Sequence, residues 1–446
     1  MLNYIKNNLT SLPYPIGKSI SLIPYSYRPM ISSIYRRRVK EYNSLEKEIL
    51  IIRKDFALKK VKEIAIFAQK NVPFYRDLYN ELNVDAEKLS TFEDLLELPV
   101  VTKDDLQSVP LEYRSFFKKG AMKVNTGGST GKPLEFYIEP NSVAHEWAHM
   151  HKVWAKLGFT QDDLRIVFSG RSDINDIVSY DSARHQLNAD TYIGWEVLAD
   201  KLLSCFNYYS PRYLHGYPSS IFDFILWLFA NKHPLLNVFR INIRGIFLGS
   251  ELPNPKLRNE VESLLNCKSI SWYGHTERSV LAYEESKKNI YLPFLSYGYS
   301  EAVEIDGGST SLVSTNYYNQ VSPLIRYNTA DLIIPNEIDG FLESFSIAEG
   351  RSGEFVLDRK NNKIFLTALI FGRHHKLFDI CTSIQVHQSS PGNITILYVL
   401  RHGDISNINL EKLFDSSNVD LDFSFKPLLK PYKTVSGKTP LLVRNL

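Results

Sequence analysis

Ten residues, Val124-Asn125-Thr126-Gly127-Gly128-Ser129-Thr130-Gly131-Lys132-Pro133, put three glycines, three hydroxyl side chains and a lysine into one short stretch. Glycines let backbone N–H groups approach anionic oxygens, hydroxyls donate further hydrogen bonds, and an ammonium adds charge. The composition therefore fits a cradle for polyphosphate. It is not a Walker A loop. Thr126 stands where the first glycine of G-x-x-x-x-G-K-[ST] belongs, and Pro133 where the metal-binding hydroxyl belongs. Proline biases Lys132 toward an extended conformation, and Leu134–Ile138 reads as a strand, so the expected context is strand–loop–strand. A plain glycine-rich turn is the alternative.

Five further pieces carry chemistry-bearing side chains. Gly249-Ser250-Glu251 follows a short apolar run. Ser271-Trp272-Tyr273-Gly274-His275-Thr276-Glu277 places an aromatic, a hydroxyl and a carboxylate on one turn. Such a ring can cover an adenine, the hydroxyl can hold a phosphate, and the carboxylate can bind Mg²⁺. Glu277 taken alone reads more readily as a solvated loop glutamate. In Pro323-Leu324-Ile325-Arg326-Tyr327-Asn328-Thr329-Ala330-Asp331, the aspartate can accept both hydroxyls of a ribose, or merely cap the next segment. Gly350-Arg351 and Lys433-Thr434-Val435-Ser436-Gly437-Lys438 complete the set. A basic terminal stretch can also be no more than solvated charge.

The elements that must position these residues follow a βαβα rhythm. Strands are expected at Leu164–Phe168, Arg212–His215, Gly245–Leu248 and Ser269–Tyr273, each running into a glycine-containing loop, with helices from Pro218 to about Leu228 and from Pro255 to Leu265. Sheets of this kind bind ligands at the carboxyl ends of their strands, where Glu251, His275, Thr276 and Glu277 fall. Apolar residues from Leu45 to Ala68 recur at helical spacing, which predicts one amphipathic helix over residues 41–70, ended by Asn71 and Pro73. From residue 290 to 345 the pattern changes to short β-like runs with turns at Asp306-Gly307-Gly308 and Asp339-Gly340. A boundary near Gly350 leaves a smaller C-terminal part.

At 446 residues the chain suits two or three domains, and its hydrophobic fraction of 44% is ordinary for a globular protein. A net charge of +3 gives no reason to expect nucleic acid as a partner. Cys205, Cys267 and Cys381 lack metal-type spacing and read as free thiols, which fits a cytoplasmic location. No stretch reaches the length of a membrane span, and the N-terminus lacks a signal-peptide core. The basic run Arg36-Arg37-Arg38-Val39-Lys40 leaves a peripheral membrane contact open beside the simpler reading of a solvated helix start. The aromatic and histidine-rich region 145–250, with His145, Trp147, His149, Trp154, Tyr208, Tyr217 and Phe222, reads as core, and no specificity residue is assigned from it.

Taken in order and spacing, the six pieces resemble the adenylate-forming ligase superfamily, and within it the phenylacetate–CoA ligase-like, capsule-polysaccharide-associated branch of CapK-like proteins. The resemblance runs from Asn71-Val72-Pro73-Phe74-Tyr75-Arg76 and Leu98-Pro99-Val100-Val101-Thr102-Lys103, through Leu214-His215-Gly216-Tyr217-Pro218-Ser219, to Lys438. It implies an α/β, acyl-CoA synthetase-like fold, with a large multi-sheet N-terminal domain (1–349) for ATP and the acid. A small α+β C-terminal lid (350–446) would carry a mobile lysine. By position, Thr126, Gly127, Gly128, Ser129, Thr130, Gly131 and Lys132 would hold the β- and γ-phosphates. Tyr273 with Gly249, Ser250 and Glu251 would line the adenine pocket, and Thr276 would touch the α-phosphate. Glu277 would hold Mg²⁺, Asp331 with Arg351 the ribose, and Lys438 the carboxylate and α-phosphate. The implied reactants are ATP, a small carboxylic acid and an acceptor that is an amine, coenzyme A or a carrier thiol. Three departures stand out: Ala330 replaces the usual glycine, Gly353 followed by Glu354 occupies the hinge region, and Lys433 replaces the commoner arginine.

Overall fold

The computed structural model describes residues 10–28, 31, 33–126, 134–140, 142–168, 170, 174, 176–305, 308–348, 354–371, 373, 375–400, 410–432 and 440–444. Gly127–Lys132, Arg351, Gly353, Lys433 and Lys438 lie outside these residues.

Helices α1 (Tyr14–Ser21), α2 (Ser33–Leu45), α3 (Leu50–Asn71), α4 (Pro73–Glu81) and α5 (Lys103–Gln107) precede the first strands. The single helix expected over 41–70 is therefore two, broken between Leu45 and Leu50. The reason lies in what each half buries. Tyr35 and Tyr42 of α2 pack toward α6 (Ser142–Ala155), whereas Ala57, Val61, Ile64, Ala65 and Ala68 of α3 belong to a separate core. One straight rod cannot serve both. Ile49 and Ile52, which extended the helical periodicity, are exposed at the break.

Strands β1 (Met122–Asn125) and β2 (Glu135–Ile138) form an antiparallel pair around the glycine-rich loop, as the Pro133 argument required. A twelve-stranded sheet follows. Its parallel half contains β3 (Leu164–Phe168), β5 (Gln186–Ala189), β6 (Pro211–Gly216), β7 (Gly245–Leu248) and β8 (Lys268–Gly274), with β4 (Val178–Asp181) antiparallel at the edge. Helices α7 (Trp195–Cys205), α8 (Pro218–Ala230), α9 (Leu235–Asn242) and α10 (Pro255–Leu265) bury their apolar faces in the core of this half. The expected strands and helices match these to within a residue or two.

The other half is antiparallel: β9 (Leu281–Glu284), β10 (Tyr291–Pro293), β11 (Gly298–Ile305), β12 (Ser309–Asn316), β13 (Tyr327–Ile338) and β14 (Phe341–Ile347). In space the order is β11-β12-β13-β14-β10-β9-β8-β7-β6-β3-β5-β4. β8 is thus the last parallel strand and the first antiparallel one. Asp339 and Gly340, both at positive φ (49° and 71°), make the tight β13–β14 turn that the sequence signalled.

The C-terminal part has a core of its own, built from Val356, Ile364, Leu366, Ile370, Leu377, Ile384, Val386, Ile396 and Phe414, with Tyr192 contributed from the large part. It comprises the pair β15 (Phe355–Leu357) and β16 (Lys363–Phe365) and a three-stranded sheet of β17 (Cys381–Ser390), β18 (Asn393–Leu400) and β19 (Asp422–Pro427). Its described helical residues are single 3₁₀ and π turns. Gln385, 1% exposed on β17, donates from Nε2 to the carbonyls of Tyr432 (3.0 Å) and Pro440 (2.8 Å), and its Oε1 accepts from Tyr432 N. One amide thereby fixes both flanks of the segment that contains Lys438. Among the described residues no helix is long and apolar enough to cross a membrane.

Candidate active site

Thr126 closes the base of the glycine-rich hairpin. Its backbone N–H donates to Leu134 O (3.0 Å), and its hydroxyl oxygen accepts from Leu134 N (2.8 Å). Thr126 is buried at 3% exposure, so the residue that spoils the Walker pattern serves as the hairpin's clasp. One residue earlier, Asn125 Nδ2 donates to Asp379 of the C-terminal part, so the hairpin also touches the small core.

β8 delivers Tyr273 and the turn after it. A buried ion pair holds this strand, with Arg258 of α10 gripping Glu284 of β9 through both nitrogens (2.6 and 2.7 Å). Glu284 Oε2 also accepts from Ser271 N at 2.8 Å, tying β8 into the same cluster. On the neighbouring β7 loop, a Cβ on Gly249 would stand 2.4 Å from the Trp272 ring, so only glycine lets these strands end together. Ser250 follows in the left-handed region (φ 68°). Glu251 is buried, and its carboxylate accepts from Ser219 N and Ser219 Oγ (3.0 Å each) in the first turn of α8. It neutralises a helix N-terminus, a role the sequence did not suggest.

Tyr273 and Asp331, fifty-eight residues apart, meet: Tyr273 Oη donates to Asp331 Oδ2 at 2.6 Å. Three strands (β9, β10 and β14) lie between β8 and β13. A flat sheet would separate them by about 19 Å, four strand spacings. The antiparallel half must therefore curl on itself. Val280, Ala282, Tyr291, Leu312, Ile333, Leu342 and Phe345 fill the inside of that curl. Burial, then the charge of Asp331, pushes the Tyr273 phenol well above its ordinary pKa, so it remains a donor. Asp331 is presented by a strained turn. Ala330 sits at φ 62°, with its N–H donating to Asn328 Oδ1 (2.8 Å), while Asp331 N donates to Thr329 Oγ1 (3.2 Å).

Glu277 is buried beside this pair. His275 Nδ1 lies 3.1 Å from its Oε2, and Tyr327 Oη donates to Oε1 at 3.4 Å. Burial alone would raise its pKa, but the neighbouring His275 and then Lys103 outweigh it and hold the carboxyl down at about 2. Glu277 is thus a buried carboxylate that remains ionised. Thr276, between the two, is half-buried.

Lys103 is the residue whose part in the site the sequence did not reveal. It was visible only as the end of an N-terminal signature. The signature reaches the site because Val101 bridges β13: Val101 N donates to Arg326 O (2.9 Å), and Asn328 N to Val101 O (2.8 Å). Arg326 locks this junction by pairing with the buried Glu301 and donating to the carbonyls of Leu96 and Leu98. On the far side of Glu277, Arg278 (φ 54°) donates to Ser142 Oγ at 2.6 Å and lines a small cavity with His145, Tyr297, Asn316 and Asn319. His145 Nδ1 and Asn316 Nδ2 are buried there with no hydrogen-bond partner among the described residues. Trp154 and Phe222 are core, as expected, whereas Tyr208 is 79% exposed.

The structure thus brings Tyr273, Thr276, Glu277 and Asp331 to one rim and leaves Glu251 anchored in the α8 N-terminus. The arrangement puts a ring, an acceptor for diol hydroxyls and an ionised carboxylate close together. No model of a protein family matches the chain. In sequence it is 22% identical to the protein CapK of Staphylococcus aureus over 466 aligned positions, covering all of both chains. In structure it is similar to 2-hydroxyisobutyryl-CoA ligase in the postadenylation state with R3-HIB-AMP (TM-score 0.54, 15% identity, 92% of each chain). The same ligase with 2-HIB-AMP and CoA in the thioesterification state gives a TM-score of 0.54 at 16% identity, again over 92% of each chain. The chain thus shares its fold with these AMP-bound ligases and is similar from end to end to CapK.

Proposed function

We propose that this protein is an ATP-dependent, AMP-forming carboxylate ligase, with residues 1–349 binding ATP and the acid and residues 350–446 acting as a lid. The observation that carries the reading is the meeting of Tyr273, Asp331 and Glu277, brought from two distant stretches onto one rim. Tyr273 would cover the adenine, with Gly249 and Ser250 at its edge, and Asp331 would accept the ribose hydroxyls. Thr276 would contact the α-phosphate. The hairpin loop Gly127–Lys132 would hold the β- and γ-phosphates, and Arg351 would stand beside the ribose.

An acid oxygen attacks the α-phosphorus and pyrophosphate leaves. A thiol or amine then attacks the acyl carbon and AMP leaves. Two anions must approach in the first step, so the Lys438 ammonium is assigned to the carboxylate and α-phosphate. A single buried, ionised carboxylate suits Mg²⁺, which takes one or two protein carboxylates together with substrate phosphates. Bound through Glu277, the ion would neutralise phosphate charge. The mixed anhydride is water-sensitive, which gives a closing lid its purpose. CoA is supported as the acceptor by the neighbouring ligases, and a role in capsule or O-antigen polysaccharide synthesis by the CapK relationship.

The test is product identity across a panel of acids, uronic acids and amino acids included. AMP and pyrophosphate are expected, with turnover nearly abolished in Lys438→Ala. ADP and inorganic phosphate would instead establish an acyl-phosphate ligase. No calorimetric binding of ATP with Mg²⁺ would leave a scaffold that keeps only the fold.

A further inference from the structure

The first forty residues contain seven lysines and arginines and no aspartate or glutamate. The remaining 406 residues carry forty-five cations against forty-nine carboxylates. A protein of net charge +3 therefore concentrates a local excess of +7 in one terminal strap and is mildly acidic elsewhere. The described part of that strap is held firmly. Leu12 N donates to Ser182 Oγ (2.9 Å), Gly17 of α1 abuts Tyr180 of the edge strand β4, and Tyr14 packs edge-on against Tyr180 and Tyr209. Arg28 is a structural cation of this strap. It is buried and donates to the carbonyls of Ser21, Ile23 and Gln161.

What Arg28 fixes is a turn that presents apolar residues outward. Leu22 and Tyr27 are each 67% exposed, Ile16 47% and Ile23 40%. Ile16, the half-buried Ile20 and Ile23 follow one another at i, i+4 and i+7. The cations of α2 divide in the same way. Arg38 turns inward to Glu41 and the face of Tyr318. Arg36, Arg37 and Lys40 are exposed, as is Lys18 of α1, and no carboxylate among the described residues pairs with any of the four. Arg36 stacks over Tyr27, with its guanidinium carbon 5.1 Å from the ring centroid, so cation and apolar side chain belong to one patch.

We propose that this strap is a docking face for an anionic lipid surface, with Leu22, Ile23 and Tyr27 entering the interface and Lys18, Arg36, Arg37 and Lys40 meeting the headgroups. An apolar rim flanked by cations is what a headgroup layer selects. A nucleic acid would reward the cations but leave Leu22 and Ile23 without a role. The inference does not depend on the ligase reading.

Vesicle co-sedimentation of the full chain tests it, with phosphatidylcholine alone and with phosphatidylglycerol added. The chain is expected to sediment only with the phosphatidylglycerol vesicles and to be released by salt. Arg36→Gln with Arg37→Gln should weaken partition roughly thirtyfold, about fivefold for each cation. Leu22→Asp with Ile23→Asp should remove binding, while the variants, altered only at exposed positions, keep the thermal midpoint of the parent. Absence of binding to the anionic vesicles at low salt overturns the proposal. So does binding that survives both double variants, or binding to single-stranded DNA without binding to vesicles.

Discussion

Tyr273 does two jobs in one side chain, offering its ring to a base and its hydroxyl to Asp331. Tyr273→Phe separates them. The ring stays and the 2.6 Å hydrogen bond goes, leaving Asp331 less firmly aimed. For a loss of about 1 kcal/mol, the KM for ATP should rise roughly fivefold while that for the acid is unchanged. Steady-state pyrophosphate release measures both, and an unaltered ATP KM would remove Tyr273 from the nucleotide site. Ala330 gives the opposite kind of test. At φ 62° its methyl costs about 1 kcal/mol, which Ala330→Gly should recover as stability in urea unfolding. The sequence showed the alanine as a departure but not its dihedral angle, which is set by the hydrogen bonds of Asn328 and Thr329 around it. The hydrogen bonds of Glu251 were hidden for a related reason. Its contact with Ser219, thirty-two residues away, exists only once β6 and β7 lie side by side.

At the scale of elements, local patterns were legible and long-range meetings were not. β3, β7 and α10 could be bounded from apolar runs, glycines and prolines because those signals are local. The break between α2 and α3 was hidden because isoleucines that end up exposed kept the helical spacing intact. Lys103 was hidden because its approach to Glu277 depends on a single bridge between Val101 and β13. That bridge rests on the Arg326–Glu301 pair, in which both side chains are buried. Arg326→Ala would leave Glu301 ionised, or force it to protonate, in a site where burial already pushes its pKa up. The cost should be about 3–5 kcal/mol, read from the urea midpoint, and a loss below about 1 kcal/mol would mean that the clamp is ornamental.

The whole molecule carries a pH dependence in its histidines. Burial holds His149 and His185 down at about 4, and His145, His151 and His215 well below their ordinary value. They stay neutral in the fold, whereas the unfolded chain protonates them below about 6.5. The unfolded state therefore binds more protons between pH 6.5 and 4, and stability is lost as pH falls through that window. At pH 5.5 each such histidine costs about 1 kcal/mol, so the denaturation midpoint should fall steeply between pH 7.5 and 5.5. A flat profile would mean that these rings reach solvent. The curl of the antiparallel half has a different consequence. Tyr273 and Asp331 are the two lips of a seam, and the strands between them, β9, β10 and β14, are the wall that must bend to bring the lips together. A nucleotide gripping both lips acts as a stitch across the seam. Amide protons deep in the wall should then exchange more slowly, so occupancy of the seam is readable from strands between its lips.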